Sequence, residues 1–479
     1  MKSPCFILIF TAVLFLSCKE QQENQHYFSY QNKPALLITS AEHYGAIMNA
    51  AFNYELYLET LNKEGFNYTR IFIGPYSEMG SDNFGITSNT MDPQPGEWIT
   101  PWLTDRLTGK YNLNQWNPLF FDRLRDFLSL AYENDIIVEI TLFTSYYVNS
   151  HWMISPFHAR NNINQVDSIP LNRANTLYNG GLIEYQEEYV RKIVQETNDF
   201  QNIFFEVQNE PWSDNPNLAA YKGQSVNRSF AFSWQKKVEL ANEVSREWQR
   251  KITSIIADEE KKLLNKHLIA QNMCNFGCYI QDPDTLISIY NFHYADPEAS
   301  YVNLDKPVAM ALDETGFMPH NSFAYRSQAW KFILAGGAIY NNLDYSFTTG
   351  KENGTNIIDE RTPGWGGPEF RGQLKILKAF IDSFDFIRMV PRPIQISGAE
   401  GQYEVQVLAV KGDQYAAYID DKNISTLPFD LPHGIYEAEW IDPASGKIVK
   451  SEVIRAVNLK ELNIPPFKED IALRVIKKK

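Results

Sequence analysis

Residues 202–211 decide the fold, and they read Asn-Ile-Phe-Phe-Glu-Val-Gln-Asn-Glu-Pro. This short apolar run ends abruptly at its Asn-Glu-Pro, and a near-continuous apolar run of this length is typical of a strand in a parallel sheet covered on both faces. Residues 307–313 form a second such run, and Glu314 follows it directly. The sequence therefore predicts two carboxylates, Glu210 and Glu314, each at the carboxyl end of a buried strand.

Six further runs of strand type flank these two, and helical patterns alternate with them. The eight predicted strands are 35–40, 67–74, 136–143, 202–208, 267–271, 286–291, 307–313 and 338–344. The predicted helices are 54–64, a segment that begins at Asn117-Pro118, 182–197, 230–257, 325–335 and 372–384. Alternation of this kind is typical of a (β/α)8 TIM barrel, an α/β fold. We predict this barrel for residues 34–386, with its weakest point between strands five and six, where little helix fits.

The lengths of the connections indicate which end of the barrel is functional. The long, aromatic-rich loops, about 75–116 and 144–180, both follow predicted strands, whereas the connections from helix to strand have only two or three residues. In a (β/α)8 barrel the loops after the strands form the active face, and the opposite face is structural. Long loops in a compact domain are usually functional. We therefore expect the site at the carboxyl ends of the strands.

The pattern changes after about residue 388. Short alternating runs occupy 403–409, 414–419, 435–441, 447–454 and 470–477, and turn signals such as Lys411-Gly412-Asp413 separate them. Alternation over runs of this length is typical of antiparallel strands. We predict a small antiparallel β-sandwich domain at 387–479, either a structural module packed on the barrel or a binding module.

The amino-terminal residues resemble a bacterial lipoprotein signal. Lys2 precedes an apolar stretch at 6–16, which is too short for a stable membrane-spanning helix, and Ser17-Cys18 follows. The resemblance implies that residues 1–17 are removed and that Cys18 is lipidated and attached to the outer membrane of a Gram-negative bacterium, facing the periplasm or the cell surface. Residues 18–33 are then a polar tether. Plain secretion, with Cys18 incidental, is the alternative.

Composition excludes some functions and permits others. The chain has 479 residues and a formal net charge of −14, which argues against a nucleic-acid partner because phosphates require a basic surface. Its 10 Trp and 26 Tyr suit stacking on sugar rings as well as core packing. Cys274 and Cys278 could form a disulfide or remain two buried thiols. Without further ligands at matched spacing, we expect no metal and no organic cofactor.

Two carboxyl groups are what the hydrolysis of a glycosidic bond needs, because one protonates the leaving oxygen and the other stabilises the oxocarbenium-like centre. Glu210 and Glu314 are 104 residues apart in the chain, so only a closed barrel would bring them together. The sequence resembles clan A of the glycoside hydrolases, a retaining (β/α)8 superfamily that includes family 5. Four groups match that clan in their order along the chain and in the strands that carry them. They are Arg70, Asn209-Glu210-Pro211, His293-Tyr294 and Glu314.

The resemblance implies roles for these residues. Glu210 is the acid/base, kept protonated by its proximity to Glu314, and Glu314 is the nucleophile. Asn209 binds the sugar 2-hydroxyl, Tyr294 donates to Glu314 and orients it, and Arg70 supports the nucleophile. His293 also belongs to the implied sugar-binding set, together with candidate aromatic contacts at Trp212, Tyr345 and Trp365. Many relatives end strand eight in Trp, whereas this chain offers Tyr345 or Phe347, which leaves the substrate class open.

The resulting prediction is a retaining glycoside hydrolase that cleaves β-linked oligosaccharides or polysaccharides. A transglycosylase on the same barrel is one alternative, because it differs only in how well water competes with a sugar acceptor. A non-catalytic, surface glycan-binding lipoprotein is the other.

Overall fold

The computed structural model describes residues 26–31, 33–80, 83–220, 233–398, 401–457 and 459–478. The predicted signal at 1–17 and the predicted lipidation site Cys18 lie outside these ranges and stay predictions. Within the described residues, no helix combines the length and the apolar character needed to cross a membrane. Cys274 and Cys278 are free thiols rather than a disulfide.

The predicted (β/α)8 barrel is confirmed. In the described chain its eight strands run parallel and neighbour one another in sequence order, from the second strand through the eighth to the first. They are β1 (Leu37–Ala41), β2 (Tyr68–Phe72), β3 (Ile137–Thr144), β4 (Ile203–Asn209), β5 (Ile269–Asn275), β6 (Ile289–His293), β7 (Ala309–Glu314) and β8 (Ile339–Leu343). Nearly all of their residues are buried, as expected for strands covered on both faces.

Helices surround the barrel incompletely. The long ones in the described chain are α1 (Tyr54–Glu64), α2 (Pro118–Glu133), α3 (Leu182–Thr197), α4 (Glu243–Glu260), α5 (Ser322–Leu334) and α6 (Pro368–Asp382). Local sequence sets their ends: Asn117 caps α2 just before a proline at its first position, and Gly65 ends α1 with φ of 85°. Residues 276–288, between β5 and β6, contain no helix, and only the short Glu298–Tyr301 helix separates β6 from β7.

The barrel is nearly closed, and one side chain bridges the remaining seam. The described residues contain no strand ladder between β1 and β2. Instead the Asn67 side chain accepts a hydrogen bond from the Ile38 amide at 3.2 Å and donates one to the Leu36 carbonyl at 2.9 Å. Nearer the carboxyl ends, the Phe72 amide donates to the Tyr44 carbonyl at 3.0 Å. These bonds satisfy backbone groups that a ladder would otherwise satisfy.

The predicted helix at 230–257 is wrong in its first part. Lys237–Ala241 is a strand that pairs antiparallel with Pro216–Ala220, and the helix begins only at Glu243. The helical prediction rested on the spacing of Trp234, Val238 and Ala241, which matches one face of a helix. Pairing with a distant segment overrode this local pattern.

The described part of the predicted tether also differs from expectation. Phe28–Tyr30 pairs antiparallel with Lys33–Ala35, and the Phe28 ring stacks on Phe204 at 6.3 Å. This small hairpin therefore packs on the amino-terminal end of the barrel.

The chain ends in an antiparallel sheet domain whose main strands are Gly401–Val410, Gln414–Ile419, Gly434–Ile441, Ile448–Ala456 and Ile471–Lys477. The second layer is smaller than a sandwich suggests, since it is a two-stranded ribbon of Thr426–Leu431 and Leu459–Asn463. The sheet packs against α5, where the Trp330 ring stacks on Tyr418 at 5.4 Å. There Arg326 donates two hydrogen bonds of 2.8 Å to buried Asp470.

Candidate active site

Glu210 and Glu314 meet at the carboxyl ends of the barrel strands. Glu314 is the last residue of β7, and Glu210 follows the last residue of β4. Carboxylate oxygens of both residues and a ring nitrogen of His293 all lie within 4.8 Å of one another. The Tyr294 hydroxyl bridges the pair, 2.9 Å from Oε1 of Glu314 and 3.2 Å from Oε1 of Glu210. The closed barrel thus brings together two acids that are far apart in the chain.

Three donors hold the Glu314 carboxylate, one on β2 and the other two just after β1 and β6. Tyr294 donates to Oε1, and the Tyr44 hydroxyl donates to Oε2 at 3.1 Å. Arg70, on β2, reaches Oε2 through Nη1 at 3.4 Å, and its guanidinium lies 4.6 Å from the centre of the Tyr44 ring. Such contacts to a carboxylate both fix its orientation and stabilise its charge.

Glu210 has a different partner. Nδ1 of His293 lies 2.8 Å from Oε1 of Glu210, while Nε2 of the same ring lies 3.6 Å from Oδ1 of Asp313. His293 is fully buried, and the Trp212 ring packs edge-on against it at 5.4 Å. His293 therefore lies behind Glu210, so it positions this acid rather than facing the open pocket.

A cluster of buried charges lies below the two acids, and we call Arg70, Glu139, Glu206 and Asp313 the interior cluster. Arg70 Nη2 lies 2.5 Å from Glu206 and 3.4 Å from Asp313, and Arg70 Nε lies 4.0 Å from Glu139. Arg70 Nη2 also donates to Oδ1 of Asn209 at 2.7 Å. Because the Asn209 carbonyl is fixed in this way, its amide group points the other way, towards the Tyr147 hydroxyl at 2.7 Å.

Two triads have ligand atoms close enough together for a metal ion, namely Glu210, His293 and Glu314, and the three acids of the interior cluster. In the second triad the Arg70 guanidinium already supplies the positive charge. In the first, the ligand atoms are hydrogen-bonded to one another or to Tyr294. Both donor sets are thus better explained by internal ion pairing than by a resident metal.

The protonation of the pair differs from the sequence-based expectation. Burial and then the charge of Glu210 raise the pKa of Glu314 above its usual value. Burial would also raise the pKa of Glu210, but the hydrogen bond and charge of His293 lower it instead. Although burial opposes it, the charges of Glu314 and Asp313 raise the pKa of His293 well above its usual value. These directions favour a proton on His293 over one on Glu210, which accepts the 2.8 Å hydrogen bond from this ring.

Burial has a further effect in the interior cluster. It raises the pKa of Glu139 well above its usual value, and the charges of Glu206 and Asp313 add to this rise. These effects favour the neutral form of Glu139. The Tyr68 hydroxyl and the Asn291 amide both donate to its carboxyl group.

Backbone strain concentrates at the site. Ten described residues other than glycine have positive φ, and five of them line the pocket that holds both acids. Glu210 itself has φ of 46°, and the other four are Tyr44, Phe84, Tyr294 and Phe317. Each such residue costs on the order of 1–3 kcal/mol, and strain of this kind is typical of functional sites.

The pocket that holds both acids, here called the inner pocket, has a cavity volume of about 60 Å³. Its wall is built from the loops after most of the strands, and it consists of His43, Tyr44, Phe72, Tyr76, Glu78, Phe84, Ile86, Tyr147, Asn209, Glu210, Tyr294, Glu314, Thr315, Phe317, Leu343, Tyr345 and Pro363. A cavity of about 1060 Å³ lies at the opposite end of the barrel, below the amino-terminal hairpin, and none of the predicted site residues lines it.

A second cavity adjoins the inner pocket, and we call it the outer pocket. Its volume is about 510 Å³, and it is lined by Phe84, Gly85, Tyr147, Glu210, Trp212, Ser213, Trp234, Glu239, Tyr294, Phe317 and Arg361. The two pockets share Glu210 and Tyr294, whereas Glu314 belongs to the inner pocket alone.

Eight of the nine predicted site residues fall into three groups. Glu210, Glu314, Asn209, Tyr294 and Tyr345 line the inner pocket, and Trp212 lines the outer one. Arg70 and His293 lie behind the acids and contact them.

Trp365 does not belong with these residues. It lines neither pocket, and its ring packs on His320 while Nε1 donates to Ser322. Phe347, the alternative to Tyr345, packs edge-on against Tyr57 and below Arg371 instead.

Sequence reasoning missed several residues of the site. Tyr44 contacts Glu314 directly, His43 and Glu78 pair at 3.2 Å in the inner wall, and Tyr147 fixes Asn209. His43, Tyr44 and Tyr147 each follow a barrel strand within three residues, so their positions at strand ends were the available signal. Glu78 gave no such signal, because it lies inside a long loop.

No family model and no curated protein matches the sequence. Solved structures do match over nearly the whole chain. A family 5 glycoside hydrolase from Bacteroides vulgatus ATCC 8482 superposes with a TM-score of 0.58 at 14% identity, covering 95% of this chain and 91% of that one. Another glycoside hydrolase gives 0.54 at 12% identity, with 95% of both chains covered. At such identities the likeness establishes the fold alone.

Proposed function

We propose that this chain is a retaining glycoside hydrolase that acts on β-linked oligosaccharides or polysaccharides. The observation that carries the proposal is the closeness of the two acids, since one carboxylate oxygen of Glu210 lies within 4.8 Å of one of Glu314. Carboxyl groups are about 5–5.5 Å apart in retaining glycosidases and about 6.5–9.5 Å apart in inverting ones, which need room for a water molecule. The β configuration rests on the motif resemblance to clan A.

Glu314 is the nucleophile of this proposal. Its carboxylate attacks the anomeric carbon, the bond to the leaving oxygen breaks, and a glycosyl-enzyme ester forms. The three donors Tyr294, Tyr44 and Arg70 orient the carboxylate and favour its ionised form. Because the groups are already in place before the reaction, the protein does not have to reorganise during it.

Glu210 is the acid and then the base. It gives its proton to the departing oxygen, and it later takes a proton from the water that hydrolyses the ester. His293 lies one hydrogen bond away, at 2.8 Å, and its pKa is raised well above its usual value by the surrounding carboxylates, although burial opposes this. We infer that His293 passes its Nδ1 proton to Glu210 before the first step, so that Glu210 enters it protonated.

Asn209 has the position for a contact with the 2-hydroxyl of the bound sugar. It lines the inner pocket next to Glu210, and Arg70 and Tyr147 fix the two ends of its amide. A contact to this hydroxyl strengthens in the oxocarbenium-like transition state, so it favours the reaction more than substrate binding. Tyr345 forms part of the same wall, in the place of the tryptophan expected from the resemblance.

The test is a panel of aryl β-glycosides and β-linked oligosaccharides, assayed with the wild type and three single variants. Glu314→Gln should abolish hydrolysis, and Glu210→Gln should lower kcat by about 10²–10⁴-fold on substrates with poor leaving groups. Glu196→Gln, in a surface ion pair with Arg125 and Lys192, is the matched control and should leave the rate unchanged.

Other outcomes would favour the alternatives. Saturable sugar binding without hydrolysis of any panel member would replace the hydrolase with a glycan-binding protein. Products longer than the substrate, formed faster than free sugar, would indicate a transglycosylase.

We also propose that Cys18 is lipidated and anchors the protein to the outer membrane of a Gram-negative bacterium, on its periplasmic or outer side. The support is the sequence pattern of residues 1–18. Labelled palmitate should enter the wild type in a bacterial host and should not enter Cys18→Ala. Equal labelling of both proteins, or none of either, would contradict the anchor.

A further inference from the structure

The two acids of the catalytic pair do not line the same pockets. Glu314 lines only the inner pocket, whereas Glu210 lies at the junction and lines both. A nucleophile must reach the anomeric carbon of the sugar that stays on the enzyme, and the acid must reach the oxygen that leaves. The inner pocket is therefore the place of the retained sugar, and the outer pocket is the place of the leaving part.

The inner pocket has a closed far end. Among the residues that line the inner pocket alone, Pro363 is partly exposed, and the others are each less than 10% exposed, including His43, Tyr76, Glu78, Ile86 and Tyr345. Side chains that are buried to this degree leave no open route behind them for a second sugar.

Hydrogen bonds hold this closed wall in place. The hydroxyl of Thr90, in the loop after β2, donates to the carbonyl of His43, in the loop after β1, at 2.8 Å. The Glu78 amide donates to the Met91 carbonyl at 2.9 Å. At Gly45 the two loops come so close that an added Cβ would lie 2.3 Å from the Thr90 backbone. The wall is thus packed backbone against backbone.

The volume of the inner pocket also agrees with room for only one sugar. Its volume of about 60 Å³ accommodates roughly four to six water molecules, at about 10–15 Å³ of cavity for each. Displacing that number of waters makes room for about one pyranose ring. The outer pocket, at about 510 Å³, is far larger.

The outer pocket is also lined differently. Trp234, Phe317 and Phe84 contribute aromatic rings, and Glu239 and Arg361 add charged groups. Trp234 is half-buried, and its ring packs edge-on against Phe317 at 5.0 Å. Flat aromatic faces suit the apolar faces of sugar rings, so this cavity fits the remainder of a glycan chain.

We propose that this site is exo-acting: it removes one terminal sugar at a time, with that sugar in the inner pocket and the rest of the chain in the outer pocket. The proposal rests on the proposed function and adds the mode of attack. Each turnover breaks the bond between the first and second sugar, gives the proton of Glu210 to the oxygen on the second sugar, and releases a monosaccharide after water attacks the ester.

The first test compares an aryl β-monoglycoside with the aryl β-bioside of the same sugar, using the sugar that the enzyme hydrolyses fastest. The monoglycoside should release the aryl alcohol without delay. The bioside should first release free monosaccharide, and the aryl alcohol should follow after a lag. Direct release of the aryl alcohol together with the intact disaccharide would overturn the proposal, because it requires space for two sugars on the nucleophile side.

The second test examines the division between the pockets. Trp234→Ala should lower kcat/KM for a β-linked tetrasaccharide about tenfold more than for the glycosyl fluoride of the same sugar, because fluoride does not occupy the outer pocket. Glu78→Gln, in the inner wall, should lower both values by the same factor. Equal effects of Trp234→Ala on the two substrates would overturn the assignment of the outer pocket.

These outcomes separate the two proposals. If no panel member is hydrolysed, the proposed function itself fails. If hydrolysis occurs and the bioside yields an intact disaccharide, the function stands and only the exo-acting mode fails.

Discussion

The Tyr294 hydroxyl offers the sharpest single-atom test of the catalytic arrangement. It lies 2.9 Å from Glu314 and 3.2 Å from Glu210, so it contacts both acids at once. Tyr294→Phe removes only this oxygen, because the ring can keep its packing against Trp234 and Phe317.

The expected magnitude follows from the geometry. One hydroxyl proton serves one acceptor at a time, and the shorter contact is the one to Glu314. A hydrogen bond to a charged group contributes about 1.5–3 kcal/mol, and each 1.36 kcal/mol is about tenfold in rate. We therefore expect kcat to fall by about 10-fold to 150-fold. The loss should stay within this range because Tyr44 and Arg70 still hold the other carboxylate oxygen.

The same variant should shift the pH dependence. The Tyr294 hydrogen bond lowers the pKa of Glu314, which burial and the charge of Glu210 have already raised. Without it the pKa of Glu314 rises further, and the nucleophile ionises only at higher pH. The acid limb of the kcat/KM profile should therefore move to higher pH.

The assay is kcat and kcat/KM for the best aryl glycoside of the panel, measured across the acid limb with thermal unfolding as a folding check. Tyr340→Phe is the matched control, because this buried tyrosine donates to the Tyr325 carbonyl, a backbone group, rather than to either acid. A Tyr294→Phe rate within about twofold of the wild type, with an unmoved acid limb, would refute the reasoning.

Three further predictions test other parts of the molecule. His293→Gln should move the alkaline limb of kcat/KM to lower pH, because the shared proton is then held by the Glu210 carboxyl alone; an unmoved limb in the same titration would exclude the relay. Arg326→Met leaves buried Asp470 without its cation and should lower the free energy of unfolding by about 3–5 kcal/mol in urea titrations. The matched double change Arg326→Met with Asp470→Leu should restore most of this loss. If Arg326→Met alone lowers the free energy of unfolding by less than about 1 kcal/mol, this ion pair does not stabilise the contact between the sheet domain and α5. Trp365→Phe should leave KM within about twofold of the wild-type value, since the residue lines neither pocket. A tenfold rise in KM would indicate that Trp365 contacts the sugar after all.

Much of the barrel could be predicted because its strands are buried on both faces and therefore stand out as apolar runs. Helices α1 and α3 were predicted with the residue bounds that the structure has, since their apolar periodicity and end signals agree. Strand β5 was placed too early, at 267–271 rather than Ile269–Asn275. Its second half contains polar residues and a bulge near Asn272, so the apolar pattern ends before the strand does.

The two acids of the candidate site were predicted from sequence because a charged residue that ends an apolar run is conspicuous. The residues that form the walls of the pockets were not predicted, since long loops take their shape from contacts between distant segments. The close approach of Gly45 to Thr90 is one such contact, and no periodicity indicates it. Trp365, predicted as a sugar contact, lines neither pocket and packs on His320, which is another contact between distant segments. The proton arrangement depends on His293 lying 2.8 Å from Glu210, a distance that only the folded chain defines.

The central claim is that Glu314 forms a covalent bond with the sugar, and trapping that bond tests it most directly. The protein is incubated with activated 2-deoxy-2-fluoro-β-glycosides of several sugars, and the labelled peptide is identified by mass spectrometry. The account predicts time-dependent inactivation with a single sugar on Glu314, and no label on Glu314→Gln. A label on another residue, or unimpeded turnover of natural substrates with no covalent adduct, would contradict it.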